Sequence, residues 1–282
     1  MSVELSFGEK NFIQGGIEQN LRADGRQRLD FRPMPIETGV IPQATGSARI
    51  RLGSTDVIVS VKAELGRPNS HHPGKGKVVI YVDCSSTVGP SFQGKKGEEL
   101  SSELSTALQK CLLGGSGIDL SSLILVEGKL CWDLYIDGLI LSSDGNLLDA
   151  LGAAVKAALS NSLIPKVNIL PDLAADEEPE VDIIDEEYTQ IDTSSLPVII
   201  TLTKVGKQYI VDATLEEESQ MSSAVSISLN RNGQICGLIK RGGAGLNPSV
   251  ILDMISVAKH VSIRYIATLD SEISTAEASS AS

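Results

Sequence analysis

No run of apolar residues in these 282 approaches the roughly 20 needed to cross a bilayer. The longest apolar stretches, such as 195–202, have the length of a buried strand, so no membrane span is expected. The opening MSVELSFGEKNFIQGG has neither a basic start nor an apolar core, and no secretion signal is expected in it. Cys84, Cys111, Cys131 and Cys236 stand far apart with no Cys-x-x-Cys pair, which excludes a clustered zinc site and a disulfide scaffold. The thiols read as reduced and mostly buried. With only His71, His72 and His260, no Ser–His–Asp or Cys–His arrangement can be argued. The glycine-rich run Lys240-Arg241-Gly242-Gly243-Ala244-Gly245 lacks the Gly-Lys-Ser/Thr ending of a P-loop and the spacing of a dinucleotide fingerprint. It reads as a strand-to-helix connection. Together these absences predict a soluble intracellular protein with no cofactor and no metal.

What is present is core material. The chain is 41% hydrophobic, which rules out wholesale disorder, and its length allows one large domain or two small ones. The net charge of −12 is unevenly placed. Residues 172–192 hold ten acids and no base; without them 26 acids face 24 bases, a net of −2. The tail 270–282 holds three more acids and no base, so the rest of the chain is near neutral. Global charge therefore neither excludes nor supports an RNA-facing surface.

Periodicity predicts an opening helix over 9–21, then strands over 34–40, 47–52, 55–64 and 77–84, with Gly53-Ser54 as a tight hairpin. A helix is predicted over 97–113, where Leu100, Leu104, Ala107, Leu108, Cys111 and Leu112 form one apolar stripe. Strands over 123–127 and 130–141 precede a second helix over 146–160. The acidic stretch reads as a solvated linker. Beyond it come strands over 197–204, 208–214, 224–229 and 234–240, and a last helix capped by Asn247 with Pro248 in its first turn. The Ser/Ala tail after Ser271 is expected to fray.

Two small basic groups are candidates for phosphate contacts. Arg67, Lys75 and Lys77 flank a Pro/Gly loop, and Lys95 and Lys96 sit where a helix begins, a place that attracts anions. A solvated loop competes with each of these readings. His71-His72, adjacent in a loop with no third ligand close by, reads as solvated rather than metal-binding.

Three segments in order change this picture: Leu21-Arg22-Ala23-Asp24-Gly25-Arg26, then Ile36-Glu37-Thr38-Gly39, then Gly46-Ser47-Ala48-Arg49-Ile50-Arg51-Leu52-Gly53-Ser54-Thr55-Asp56. Further along stand Asp137-Gly138, Asp144-Gly145-Asn146, Ile164-Pro165, Leu196-Pro197-Val198 and Val211-Asp212-Ala213-Thr214-Leu215-Glu216-Glu217-Glu218. The set is similar to RNase PH-type exoribonuclease domains over about residues 10–265, and most of all to the non-catalytic RNase PH-like subunits of exosome rings. The resemblance implies an α/β fold of the α+β type: two β-α-β halves, like the second domain of ribosomal protein S5, with helices on mixed sheets. The implied layout is an N-terminal helix and arm at 1–30, a first half at 31–170, an acidic linker at 171–195, a second half at 196–269 and a disordered tail at 270–282.

In active members of the family, two arginines and a helix start hold inorganic phosphate, and two aspartates six residues apart bind metal or move protons. Here Leu100 stands where the first arginine belongs, in Leu100-Ser101-Ser102-Glu103-Leu104, and Leu148 stands for the second, in Gly145-Asn146-Leu147-Leu148. The aspartate positions fall near Thr189 and Ser195. The resemblance thus implies a subunit with no catalytic residue and no metal. It would sit in a hetero-hexameric ring with other RNase PH-like subunits, beneath S1/KH cap subunits and beside catalytic exosome-associated nucleases. Its RNA contacts would come from Arg67, Lys75, Lys77, Lys95 and Lys96, and its residence would be nucleus, nucleolus and cytoplasm. The competing readings are an active phosphate-dependent 3′-to-5′ exoribonuclease forming its own ring, which the four replaced groups disfavour, and an adaptor unrelated to RNA, which a stable monomer would favour.

Overall fold

The computed structural model describes residues 5–85, 88–89, 92–115, 117–169 and 181–280. Helix α1 (Phe7–Glu18) opens on a capping box in which Ser6 and Glu9 satisfy each other's backbone N–H groups. A first sheet follows from β1 (Ile36–Thr38), β2 (Gly46–Leu52), β3 (Thr55–Gly66), β4 (Lys77–Cys84), β5 (Ile124–Val126) and β6 (Leu130–Ser142). Its order is β1-β2-β3-β6-β4, with β5 beside β6; only β4 runs parallel to its neighbour. Helix α2 (Lys95–Leu113) connects β4 to β5, and α3 (Leu147–Ser160) follows β6. A two-stranded ribbon, β7 (Leu163–Ile169) with β8 (Val181–Gln190), leads to the second sheet, β9 (Val198–Val205), β10 (Gln208–Val211), β11 (Ser223–Leu229) and β12 (Ile235–Arg241). That sheet is antiparallel, in the order β10-β9-β11-β12. A short α4 (Leu215–Ser219) lies between β10 and β11, and α5 (Pro248–Ser280) ends the chain.

The two sheets share one core. Helix α3 is buried from Leu148 to Leu159 because small residues, Ala150, Gly152, Ala153, Ala154, Ala157 and Ala158, let it lie against β2 and β3 on one side and β9 on the other. One continuous apolar cluster runs from Ile50, Val59 and Leu134 through Leu151 to Ile200, Val225 and Leu269.

Three expectations are corrected. The acidic 172–192 stretch is not all linker: its second part is β8, antiparallel to β7 with Ile164 opposite Thr189. Its acids still face water at Asp182 and Glu187, so the charge does not oppose the strand. Residues 170–180 lie outside the described residues. Nor is 270–280 a frayed tail. Helix α5 continues to Ser280 because Ile273 and Ala276 extend the buried stripe of Val261, Tyr265 and Leu269, and the Ser160 hydroxyl bonds Glu277 at 2.8 Å. Residues 281–282 are outside the described residues. The strand expected over 208–214 stops at Val211, where Asp212 turns to φ 46°.

That turn places Asp212 at the junction of the two halves. Its fully buried carboxylate accepts five hydrogen bonds: from Arg32 N (2.8 Å), Nε (2.9 Å) and Nη2 (2.7 Å), from Arg26 Nη1 (2.8 Å) and from Asn146 Nδ2 (3.0 Å). Arg32 also reaches Asp144 Oδ2 at 3.1 Å. Arg22, 3% exposed, forms a two-pronged pair with Glu217 and donates to the carbonyls of Val211 and Asp212. Glu217 in turn closes a capping box with Thr214 at α4. Gly145, at φ 81°, brings the backbone so close that a Cβ there would lie 2.5 Å from the Ala213 oxygen. Burial pushes the Asp212 carboxyl up, but the Arg32 hydrogen bonds and charge outweigh it and hold the group below the usual carboxylate value.

Removing one partner strands a buried charge. Arg32→Ala is expected to cost about 3–5 kcal/mol in urea unfolding. The double variant Arg32→Ala/Asp212→Ala should lose less than the sum of the single changes by roughly 1 kcal/mol or more, because the pair acts as a unit. Additive losses would show that the two side chains are not coupled.

Candidate functional site

Leu148 and Leu100, the positions where the motifs lead one to expect phosphate-binding arginines, both carry apolar side chains turned toward the core. Helix α3 begins just past Asn146, which takes a left-handed conformation (φ 54°) and whose N–H is used up on Glu218 Oε1 at 3.0 Å. Leu148 then turns into the core and is 1% exposed. Leu100, on the first turns of α2, is partly buried against the same core. Neither leucine lines a cavity described below, and neither offers a hydrogen bond to an anion.

Thr189 and Ser195 are brought together. Both line a cavity of about 420 Å³ between the ribbon and the β5–β6 region, with Asp119, Trp132, Lys166 and Asp192. Both side chains are neutral hydroxyls, which cannot do the acid–base work expected of a carboxylate pair. The acids nearby are turned to local turns: Asp119 accepts from Ser121, and Asp192 accepts from Ser194 N at 2.8 Å. These bonds hold both carboxyls below their usual range. Among the described residues no group of three or more His, Cys, Asp or Glu is placed to hold a metal ion.

The basic candidates do not converge. Arg67, Lys75 and Lys77 are exposed at the start of β4, whereas Lys95 and Lys96 are exposed at the start of α2, beside the other end of that strand. Seven steps of strand separate those ends, about 23 Å. Lys77 lies 5.9 Å from the Tyr135 ring centroid and is paired in register with Asp133. A second cavity, of about 680 Å³, lies between β4 and the start of α2 and is lined by Phe92, Gly94, Glu98, Ser101 and Asp83 among others. His71 and His72 are exposed in their loop.

One ionisable group beside Leu148 was missed from the sequence. Asp149, next to Leu148, points the other way, into the interface with β9, where it is 1% exposed. It accepts from Thr201 N (2.8 Å) and Thr201 Oγ1 (2.6 Å), and Thr201 Oγ1 lies 2.8 Å from Ser226 Oγ. Burial pushes its carboxyl up to about 7, against the pull of the Thr201 bonds. Its position in the first turn of an apolar helix reads as dipole complementation, and only the Thr201–Ser226 row across the sheet shows it to be an interior group.

With this geometry in place, comparison with known proteins is direct. Residues 30–165 match domain 1 of the 3′ exoribonuclease family and residues 195–261 match domain 2. The chain belongs to that family. An exosome complex exonuclease RRP42 of Dictyostelium discoideum is 33% identical over 95% of this chain and 97% of its own. The exosome complex component Rrp42 of Methanothermobacter thermautotrophicus is 34% identical over 86% of this chain and 87% of its own. Among solved structures, a chain of the Archaeoglobus fulgidus exosome with RNA bound to the active site superposes with a TM-score of 0.79, at 28% identity, covering 92% of this chain and 97% of that one. The RNase PH fold expected from the motifs is the fold found.

Two predictions follow from the two neighbours on α3. Leu148→Arg puts a charge into the core and should cost about 3 kcal/mol or more, whereas Leu100→Arg, at a half-buried position, should cost less. Equal losses in urea unfolding would contradict the placement of these leucines. For Asp149, the folded value lies above the unfolded value of 3.8, so its favourable contribution is complete below that pH and is lost as pH rises through about 7. Asp149→Asn, which keeps one acceptor and gains a donor toward Thr201, should flatten the fall in Tm between pH 5 and pH 8. An unchanged pH profile would show that Asp149 is not the titrating group.

Proposed function

We propose that this chain is a non-catalytic subunit of an exosome ring, helping to form the central channel that passes RNA for 3′-to-5′ processing and degradation, including rRNA maturation and mRNA decay. The observation that carries the reading is Leu148: at the helix start where an active relative needs a phosphate-binding cation, this chain has a side chain 1% exposed in its core. Leu100, Thr189 and Ser195 point the same way. The relatives named Rrp42 supply the exosome context. One of them carries the word exonuclease in its name, which would favour the alternative, a phosphate-dependent exoribonuclease; the leucines disfavour it.

In this reading the partners are other RNase PH-like subunits in a hetero-hexameric ring, S1/KH cap subunits, catalytic exosome-associated nucleases and RNA, in nucleus, nucleolus and cytoplasm. RNA is touched without chemistry. Lys95 and Lys96, exposed at the N-terminal turn of a 19-residue helix, are the stronger contact candidates. Arg67, Lys75 and Lys77 form the other exposed basic group, with Lys77 in register with Asp133.

The purified chain should release no nucleoside diphosphate from RNA with inorganic phosphate, and Leu100→Arg/Leu148→Arg should remain inert because the acidic pair is still missing. Phosphorolysis by either would overturn the non-catalytic reading. Lys95→Ala/Lys96→Ala should lower RNA crosslinking to the assembled ring by about threefold or more without affecting assembly, as expected for lost phosphate contacts. Unchanged crosslinking removes these lysines from the RNA path.

A further inference from the structure

The cavity of about 680 Å³ between β4 and the start of α2 has no part in the reading above, yet it has the size of a small-molecule site. Its backbone edge is closed. Val82 N donates to Ser105 Oγ at 2.9 Å and Ile80 O accepts from Gln109 Nε2 at 3.4 Å, so side chains of α2 occupy strand groups that an added strand would need. Nor does the lining supply a nucleophile. Among its described residues there is no histidine, and burial pushes the Cys84 thiol up, which leaves it neutral. Ser101, 6% exposed, has its hydroxyl turned to that thiol at 3.4 Å. The cavity is equipped to bind rather than to react.

Its lining selects by charge. Asp83 from β4 and Glu98 from the first turn of α2 are its carboxylates, and no Lys, Arg or His stands among the described residues around them. The connection 85–91 carries no base in its sequence. Among the described residues neither carboxylate is paired with a base. Two aromatic rings accompany the acids: Tyr81, 58% exposed, and the half-buried Phe92. At Gly97 a Cβ would lie 2.1 Å from Phe92 O, so glycine lets residue 92 settle against α2 at the cavity wall.

The same sheet shows what such a surface takes. Tyr135, in register with Val79, has the Lys77 ammonium 5.9 Å from its ring centroid. Tyr81 lies two residues further along β4, with two carboxylates sharing its cavity and, among the described residues, no cation over its ring. Lys95 and Lys96 stand just before this lining and outside it; with the helix start they are the features that would favour an anion instead.

We propose that this cavity binds an organic cation, a guanidinium or alkylammonium on an aliphatic stem. Asp83 and Glu98 take the charge, Tyr81 and Phe92 flank the stem, and the hydroxyls of Ser102 and Thr106 accept its remaining N–H groups. An arginine side chain of a partner peptide and a free polyamine share this chemistry. The site does not depend on the ring reading.

Amide NMR shifts of the full chain test the assignment, with N-acetyl-arginine amide, spermidine and inorganic phosphate as probes. At least one cation should shift amides on both walls, 79–84 and 97–106, in a saturable way. Asp83→Asn/Glu98→Gln should weaken that binding about tenfold, and Tyr81→Leu about threefold, with Tm unchanged because these positions are exposed. Tighter binding of the arginine amide identifies a peptide side chain as the guest, and tighter binding of spermidine a free polyamine. No shift from either cation up to about 10 mM overturns the assignment, as does cation binding that the double variant leaves intact. Phosphate that moves the same amides, and no longer does so in Lys95→Ala/Lys96→Ala, makes this an anion site and also overturns it.

Discussion

A carboxylate with no access to water must be surrounded by donors or it is not a carboxylate, and Asp212 meets that demand with groups drawn from across the chain. Arg26 and Arg32 come from the N-terminal arm, Asn146 from the start of the central helix, and the carboxylate itself from the end of β10 in the second sheet. Arg22 repeats the arrangement on Glu217. These groups only meet if the arm runs along the β10 edge, if Gly145 lets the backbone pass against Ala213, and if Asp212 itself adopts a left-handed turn. The relative placement of the two sheets, and hence the position of α3 between them, depends on this polar junction as well as on the apolar core.

The residues by which the family is recognised in this sequence are largely the residues of that junction. Arg22, Arg26, Asp144, Gly145, Asn146, Asp212 and Glu217 all stand in the motifs and meet in the junction. In the reading proposed above, the groups that would perform phosphorolysis belong at other positions, where this chain carries leucine and neutral hydroxyls. Scaffold and chemistry are separable in a fold, so membership of an exoribonuclease family does not by itself make an exoribonuclease.

Local signals made much of the architecture legible. The two-residue turn Gly53-Ser54, the stripe on α2, and the alternation in β2 and β3 led to elements whose ends match within a few residues. Other features were written in the sequence and passed over: Ser6 with Glu9, and Thr214 with Glu217, are capping boxes that mark the true start of α1 and the existence of α4. What no local reading could supply is partnership at long range. Arg32 and Asp212 are 180 residues apart, and Asp149 becomes an interior acid only because Thr201 and Ser226 lie opposite it. The acidic β8 was hidden for a related reason: its strand character depends on β7 across a turn, while its composition signals solvent. The separation of the basic residues to opposite ends of β4 is likewise a property of the folded sheet.

Native isolation of the tagged chain, with mass spectrometry of what accompanies it, is the most direct measurement of the central claim. A wall subunit of an exosome ring should bring down five other RNase PH-like chains in near-equal amounts, together with RNA-binding cap proteins. Recovery of the chain alone, or as a homo-oligomer, would contradict that claim.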